Sequence, residues 1–234
     1  MKRRIFSVLL SSALLLTALA GCGHGGEAAP SGSSSDADSE TGTRDELIFV
    51  NYRDIRDLNP HLYAGEMYAQ SILYDTLVSN TEDGYVGCLA EDWTISDDGM
   101  TYTFTIRDDV HFQVGEYQDG RLLTAEDVAY SLNRAHEKAW WNYIPYFEYA
   151  EAIDEHTVAC HLEYANALFL YDLTSPSGVM IPQEEVDGWG EEEFGSHPIG
   201  TGPFKVVEHV PDQYTKLEKN PNYWGVEPYL DGLT

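Results

Sequence analysis

The sequence predicts a mixed α+β fold, because strand-like and helix-like patterns follow one another along the chain without an internal repeat. Residues 101–106 alternate threonine with tyrosine, phenylalanine and isoleucine, which is typical of a half-buried strand. The segment Thr124-Ala125-Glu126-Asp127 resembles a capping box and predicts a helix through about Glu137. Two further strands are predicted over residues 204–210 and 214–219.

The stretch before residue 101 adds a strand and a helix. Residues 47–50 form a short apolar run that predicts a buried strand, and a polar loop follows over residues 51–59. Apolar side chains recur at helical spacing over residues 66–77, so we expect an amphipathic helix there. Turn residues at Asp83-Gly84 and at 97–99 separate the strands that come next.

The stretch after residue 150 adds one strand, an acidic run and a glycine-rich segment that only superficially resembles a phosphate loop. Residues 157–162 alternate, and Cys160 falls on the apolar face, where we expect it to be buried. The run Glu191-Glu192-Glu193 predicts a solvated helix face. The segment Gly200-Thr201-Gly202-Pro203 lacks the lysine of a phosphate loop, and Pro203 has no backbone donor, so a turn into the next strand is expected.

The first 44 residues differ from the rest in composition. Residues 1–21 begin with three basic side chains, continue as an uncharged run too short for a typical membrane span, and predict an export signal. Leu19-Ala20-Gly21-Cys22 is similar to a bacterial lipobox, in which the cysteine is lipidated; an ordinary signal peptide is the alternative. Two acyl chains on Cys22 would anchor the protein stably. Residues 22–44 are rich in glycine, serine and acidic side chains, which predicts a flexible tether.

The charge balance excludes one class of partner. The chain carries 13 lysine and arginine residues against 40 aspartate and glutamate residues, a formal net charge of −27. Such a surface repels phosphate backbones, so we expect no nucleic-acid binding. It attracts cations and basic peptides, although solubility of an exported protein is the simpler explanation.

Cysteine and histidine residues indicate no metal site and no cofactor. Cys88 and Cys160 are the two cysteines after Cys22; they belong to no metal-binding spacing, and either a disulfide or two free thiols is compatible with the sequence. The histidines are scattered without HxxH or HExxH spacing. The sequence Ser175-Pro176-Ser177-Gly178 is not a nucleophile elbow, so a secreted hydrolase is only a weak alternative.

Six short motifs, in order along residues 47–233, resemble the large peptide/nickel family of extracellular solute-binding proteins that serve ABC transporters. Each motif is weak by itself, but their order and spacing match the family. They are Leu58-Asn59-Pro60-His61-Leu62, residues 89–93 with 97–104, residues 107–112, residues 123–128, residues 198–204 and Asn220-Pro221-Asn222-Tyr223-Trp224-Gly225.

The resemblance implies a bilobed fold of the periplasmic-binding-protein type II, with the solute enclosed between two lobes. By this resemblance, residues 45–66 and 184–234 form the sheet region of the first lobe, and residues 67–183 form a subdomain inserted into it. The family normally continues for hundreds of residues, so the second lobe is expected to be absent from this chain.

The resemblance also implies which side chains meet the solute. Met67 and Trp140 match positions that pack around a metal chelate in the nickel-binding branch, and Met67 is equally compatible with a helix core. Glu137 and Ser177 stand where that branch has arginines, and neither replaces an arginine fork for carboxylates, which favours a peptide solute. The predicted contacts are Tyr52, Tyr63, Met67, Trp140 and Trp141.

Together these observations predict a non-enzymatic, substrate-binding lipoprotein of an ABC importer. It would lie on the extracellular or periplasmic face of the cell membrane, held there by a lipid, and would deliver oligopeptides or dipeptides to the permease. A nickel-chelate-binding protein and a peptide-pheromone receptor are alternatives within the same fold.

Overall fold

The structure is a computed structural model that describes residues 45–51, 54–62, 70–139 and 143–234. Its helices are few and short apart from α2, and most strands belong to two four-stranded sheets. In chain order the elements are β1 (Glu46–Leu47), α1 (Gln70–Leu73), β2 (Val78–Thr81), β3 (Gly84–Gly87), β4 (Ala90–Ile95), β5 (Thr101–Ile106), α2 (Ala125–Lys138), β6 (Phe147–Asp154), β7 (Thr157–Leu162), α3 (Phe169–Asp172), α4 (Gln183–Trp189), a 3-10 turn (Phe194–Ser196), β8 (Phe204–Val210), β9 (Tyr214–Lys219) and β10 (Gly232–Leu233). The predicted mixture of α and β structure is confirmed.

The first sheet, which we call the middle sheet, has the strand order β4-β5-β7-β6, and every pair in it is antiparallel. Tyr102, Phe104 and Ile106 alternate on one face of β5 and are buried, as the sequence predicted. The predicted helix is α2, and the Asp127 carboxylate accepts hydrogen bonds from the Thr124 N–H and hydroxyl at 2.9 Å, which confirms the capping box. Helix α2 and this sheet share one hydrophobic core.

The second sheet, the terminal sheet, joins the two ends of the described chain in the order β1-β10-β9-β8. Strands β8 and β9 form an antiparallel hairpin over the predicted residues, and β1 pairs in parallel with β10. A second core lies beside this sheet and includes Leu58, Tyr74, Ile181, Phe194 and Leu217.

Residues 47–50 do not form the buried strand predicted for them. Strand β1 covers Glu46–Leu47 alone, although the Phe49 N–H still donates to the Thr234 carbonyl at 2.7 Å. All four apolar side chains are exposed, Phe49 by 62%. They line a groove of about 710 Å³ on the terminal sheet. The prediction fails because an apolar run identifies a strand but not the element that covers it, and no described residue covers this face.

The helix predicted over residues 66–77 is shorter in its described part, because α1 ends at Leu73. The Leu73 carbonyl accepts a hydrogen bond from the Gly202 N–H at 3.0 Å, and Thr76 then forms an isolated bridge with Val179. A Cβ at Gly202 would lie 2.5 Å from the Leu73 carbonyl carbon, so only glycine allows this approach. A tertiary contact therefore ends the helix.

Three smaller expectations are settled by side-chain positions. Cys88 and Cys160 are free thiols, and Cys160 is buried as predicted. Helix α4 ends at Trp189, so Glu191 belongs to a turn and not to a solvated helix face, and it pairs with Arg134. Among the described residues, no helix is long and apolar enough to span a membrane.

Candidate functional site

The residues predicted to carry function lie outside the described part of the chain. This holds for the lipidation candidate Cys22 and for all five predicted solute contacts, which are Tyr52, Tyr63, Met67, Trp140 and Trp141. The described residues next to them in the sequence are Asn51, Leu62, Gln70, Ala139 and Tyr143. Helix α1 (Gln70–Leu73) is the described element that follows Tyr63 and Met67 in the sequence.

A cavity of about 210 Å³, which we call the α1 cavity, lies beside this helix. One wall comes from α1 and the residues that follow it, and the other comes from the segment between α3 and α4. Polar side chains dominate the lining, and one carboxylate is the only charge among the described lining residues. These residues are Gln70, Ser71, Tyr74, Asp75, Thr76, Ser79, Cys88, Thr174, Ser175, Pro176 and Val179.

Backbone hydrogen bonds hold the two walls together. The Met180 N–H donates to the Asp75 carbonyl at 3.3 Å, next to the bridge between Thr76 and Val179. The Gly178 N–H donates to the Ser175 carbonyl at 2.8 Å and closes a turn over Ser175-Pro176-Ser177-Gly178. The shape of the cavity is thus set by main-chain pairing rather than by long side chains.

Asp75 is held in a fixed orientation by two neutral donors. Its Oδ2 atom accepts hydrogen bonds from the Thr201 hydroxyl and from the Trp224 indole N–H, both at 3.0 Å. Burial raises the pKa of the carboxyl above its ordinary value, and these two hydrogen bonds oppose that shift only in part. Both donors come from motifs near the end of the chain, so the carboxylate also ties that segment to α1.

Two other polar groups at the cavity wall are not satisfied. Gln70 is 2% exposed, and neither its Nε2 nor its Oε1 atom has a hydrogen-bond partner among the described residues. The Ser175 hydroxyl is buried and lacks a partner in the same part of the chain. A buried polar group without a partner costs about 1–3 kcal/mol, so such groups are expected where another molecule completes the hydrogen bonding.

A second polar cluster fixes the segment that leads into the predicted contacts. The buried Arg134 guanidinium donates to His61 Nδ1 at 2.9 Å, and it also pairs with Glu191. The other ring nitrogen of His61 lies 3.2 Å from the Val179 carbonyl. Burial, followed by the charge of Arg134, lowers the pKa of His61 to about 3, so this histidine is neutral and donates to Val179.

The arrangement can bind but offers no catalytic machinery among the described residues. Burial, and to a lesser extent the nearby Asp75, raises the pKa of Cys88 to about 11, so its thiol is not an activated nucleophile. No group of three histidine, cysteine, aspartate or glutamate side chains within the described ranges could hold a metal ion. What remains is a small polar cavity with one carboxylate and unsatisfied hydrogen-bonding groups.

Sequence reasoning did not identify Asp75, Arg134 or Ser175 as parts of a site. Asp75 follows Tyr74 inside a helical pattern, where a solvent-facing carboxylate is the ordinary expectation. One signal was available, because its partners Thr201 and Trp224 both stand in motifs that were singled out. The sequence alone did not place those motifs against residue 75.

Comparison with known proteins identifies the family. The profile of the bacterial extracellular solute-binding proteins, family 5 Middle, matches residues 84–234. The nickel-binding periplasmic protein of Escherichia coli is 35% identical over 193 residues, covering 81% of this chain and 37% of that protein. The dipeptide-binding protein of the same organism is 31% identical over 214 residues, covering 80% and 40%.

A solved structure agrees with this match. The periplasmic binding protein DppA from Helicobacter pylori, in complex with the peptide STSA, has a TM-score of 0.71 and 28% identity, covering 80% of this chain and 41% of that one. The chain spans about two fifths of the length of the relatives that it matches. Because the family profile covers more than half of the chain, the chain belongs to the bacterial extracellular solute-binding proteins of family 5, which bind solutes and are not enzymes, as the sequence predicted.

Proposed function

We propose that this protein captures a peptide outside the membrane and delivers it to the permease of an ABC importer. The observation that carries the proposal is the family match over residues 84–234, together with relatives named for binding dipeptides and nickel. A nickel chelate is the second candidate, because the nickel-binding relative is 35% identical. Ser177 supports the peptide, since it is 2% exposed and carries no charge at a position where the nickel branch has an arginine.

The proposal includes a division of the chain that we offer on the same grounds. Residues 45–66 and 184–234 would form the sheet region of a first lobe, and residues 67–183 its inserted subdomain, in a bilobed fold of type II. The two four-stranded sheets support this division, because the middle sheet lies entirely within residues 67–183 and the terminal sheet entirely outside them. The enclosure of the solute would then need a second lobe, which agrees with a chain that spans 37% of its nickel-binding relative.

Native mass spectrometry of the protein released from the membrane of its own cell tests the proposed function. We expect a co-purified peptide, or a metal chelate if the second candidate is correct. Recovery of the protein from growth in peptide-rich medium with nothing bound, and without affinity for added dipeptides or nickel chelates, would contradict both candidates. A solute that is covalently altered on incubation would favour the hydrolase alternative.

We further propose that residues 1–21 are an export signal, that Cys22 carries the lipid, and that residues 22–44 tether the folded part. The change Cys22→Ser should move the protein from the membrane fraction to the soluble fraction, because the acyl chains supply the membrane affinity. Immunoblots of the two fractions measure this, with Cys88→Ser as the matched control. Retention of the Cys22→Ser variant in the membrane would remove the lipid anchor from the proposal.

The five predicted contacts are proposed to line the solute site, and Trp140 is the most testable of them. We expect Trp140→Ala to weaken solute binding by roughly 10-fold or more without a change in the unfolding midpoint, because the proposed aromatic contact with the solute would be lost. Calorimetric titration with the solute found by mass spectrometry measures the loss. The exposed Tyr229→Ala is the control, and an unchanged affinity of the Trp140→Ala variant would exclude Trp140 from the site.

A further inference from the structure

We propose that the α1 cavity is a subsite for a basic side chain of the bound peptide, with the Asp75 Oδ1 atom, which accepts no hydrogen bond from the described residues, as its anionic partner and Gln70 and Ser175 as further acceptors. The inference rests on the proposed function, because it concerns a group of the solute that the protein captures. It assigns this protein a preference for peptides that contain lysine.

The first argument is the sign of the charge. Asp75 is the only charged side chain among the described residues that line the cavity, and no lysine, arginine or histidine is among them. The whole chain is acidic as well, with a formal net charge of −27. A carboxylate group or an anionic chelate would therefore meet repulsion at this place, whereas an ammonium group would meet an attractive charge.

The second argument is the free acceptor capacity of Asp75. Both hydrogen bonds that it receives, from Thr201 and from Trp224, end on Oδ2. No hydrogen bond among the described residues ends on Oδ1. An ionised carboxylate offers about four acceptor positions, so half of the capacity of Asp75 is unused. The two neutral donors hold the group in place without neutralising it.

The third argument is that the number of acceptors in the cavity left unpaired by the described residues equals the number of N–H donors of an ammonium group. An ammonium group has three N–H donors and no acceptor. The residues that line the cavity carry three acceptors, namely Asp75 Oδ1, Gln70 Oε1 and the Ser175 hydroxyl, and the last two are buried without a hydrogen-bond partner in the described ranges. Burial also raises the pKa of Asp75, which is the effect of a buried carboxylate that lacks a nearby cation. A bound ammonium group would donate to these three acceptors and would supply the cation that Asp75 lacks, whereas the Gln70 Nε2 donor would need an acceptor from the solute backbone.

A purely structural role for Asp75 makes a different prediction. If Asp75 served only to tie Thr201 and Trp224 to α1, its removal would lower the stability of the fold and would reduce the affinity for all solutes by the same factor. A subsite for a cation instead changes the ratio of affinities between two peptides that differ only in the cation. The test therefore measures that ratio.

The experiment uses the protein as its own cell makes it, stripped of endogenous solute, and three pairs of tripeptides. The lysine peptides are Lys-Ala-Ala, Ala-Lys-Ala and Ala-Ala-Lys, and each is paired with the peptide in which norleucine replaces lysine. Calorimetry should show at least one lysine peptide binding roughly 10- to 100-fold more tightly than its partner, the effect of one charge-assisted hydrogen-bonded contact. In the Asp75→Asn variant this ratio should fall to about 1.

The matched control is Asp172→Asn. Burial raises the pKa of the Asp172 carboxyl too, but this residue bonds to Asn166 and does not line the cavity, so the variant should keep the lysine-to-norleucine ratio of the wild type. If Asp75→Asn does not fold, the wild type still decides the matter through the Trp224 indole N–H resonance. A lysine peptide should shift that resonance saturably, and its norleucine partner should not.

The remaining outcomes separate the two proposals. Equal affinities for lysine and norleucine peptides, or an affinity ratio that survives Asp75→Asn, would overturn the subsite and leave peptide capture intact. Binding of an anionic nickel–EDTA complex without binding of any tripeptide would overturn the subsite and favour the chelate candidate. If the protein binds none of these probes, both the subsite and the proposed capture function are wrong.

Discussion

The middle sheet and the terminal sheet each have four strands, but they differ in what covers them. On the middle sheet, the inward side chains of β5 pack into the core shared with α2, and Phe104 is fully buried. On the terminal sheet, Leu47 and Phe49 are exposed along a groove of about 710 Å³. The comparison shows that an apolar pattern can identify a strand without predicting its burial. Burial also requires a second element that packs on the apolar face.

The largest expected effect comes from removing one phenylalanine ring from the middle sheet and one from the segment that follows β1 of the terminal sheet. We expect Phe104→Ala to lower the free energy of unfolding by about 3–5 kcal/mol, because it leaves a cavity in a closed core. Phe49→Ala should change it by less than about 0.5 kcal/mol, since its ring is exposed. Guanidinium chloride titrations followed by circular dichroism measure both. Equal losses would mean that the face beside Phe49 is covered after all.

The next effect concerns the junction between the regions, where His61 contacts Arg134 of α2. The pKa of His61 is lowered from 6.5 to about 3, so between these values the unfolded chain binds a proton that the folded chain does not. The neutral His61 therefore does not reduce the free energy of unfolding above about pH 6.5, and its proton linkage lowers that free energy as the pH falls below this value. Between pH 7 and pH 4.5 we expect a loss of about 2–3 kcal/mol from this group.

The change His61→Gln should remove that part of the pH dependence while other acid-sensitive groups keep theirs. Urea titrations at pH 7, 5.5 and 4.5 compare the variant with the wild type, and the exposed His136→Gln is the control that should keep the wild-type profile. Parallel pH profiles for wild type and the His61→Gln variant would show that His61 does not stay neutral in the folded protein.

The smallest effect tests the middle sheet from its covering helix. Thr124→Ala removes the hydroxyl that donates to Asp127 at the start of α2 and should cost about 1 kcal/mol. Thr94→Ala, at an exposed position of the edge strand β4, should cost only a few tenths of that. Thermal unfolding scans resolve the difference, and a larger loss for the Thr94→Ala variant would contradict the importance given to the cap.

The elements of the fold also differ in how well the sequence predicted them, and both sheets contain strands that were predicted correctly. Residues 101–106, 157–162 and the helix that begins after Thr124 were predicted correctly, because each carries a clear period or cap within its own sequence, whatever the distance to its packing partner. Residues 47–50 and the end of α1 were not. Their environment is set by residues far along the chain, namely Thr234 and Gly202, and no local pattern encodes such contacts.

The candidate site divides in the same way. The five predicted contacts remain predictions, two of them, Met67 and Trp140, from resemblance to a family, whereas the α1 cavity was found from the geometry of the structure. Asp75 looked like an ordinary helix-surface carboxylate until Thr201 and Trp224 were placed against it. Gln70 and Ser175 were identified only because their buried polar atoms lack hydrogen-bond partners among the described residues. The order of residues in the sequence does not show whether such atoms are paired.

By itself, the sequence predicted the family, the strongly periodic strands and the capped helix, and it determined the strongly acidic composition. These follow from local periods, side-chain charges and short motifs, which are properties of neighbouring residues. The tertiary structure alone decided which apolar face is covered, where α1 ends, that His61 is neutral and that the described donors to Asp75 meet at one of its two oxygens. The physical reason is that burial and hydrogen-bond satisfaction depend on groups brought together from distant parts of the chain.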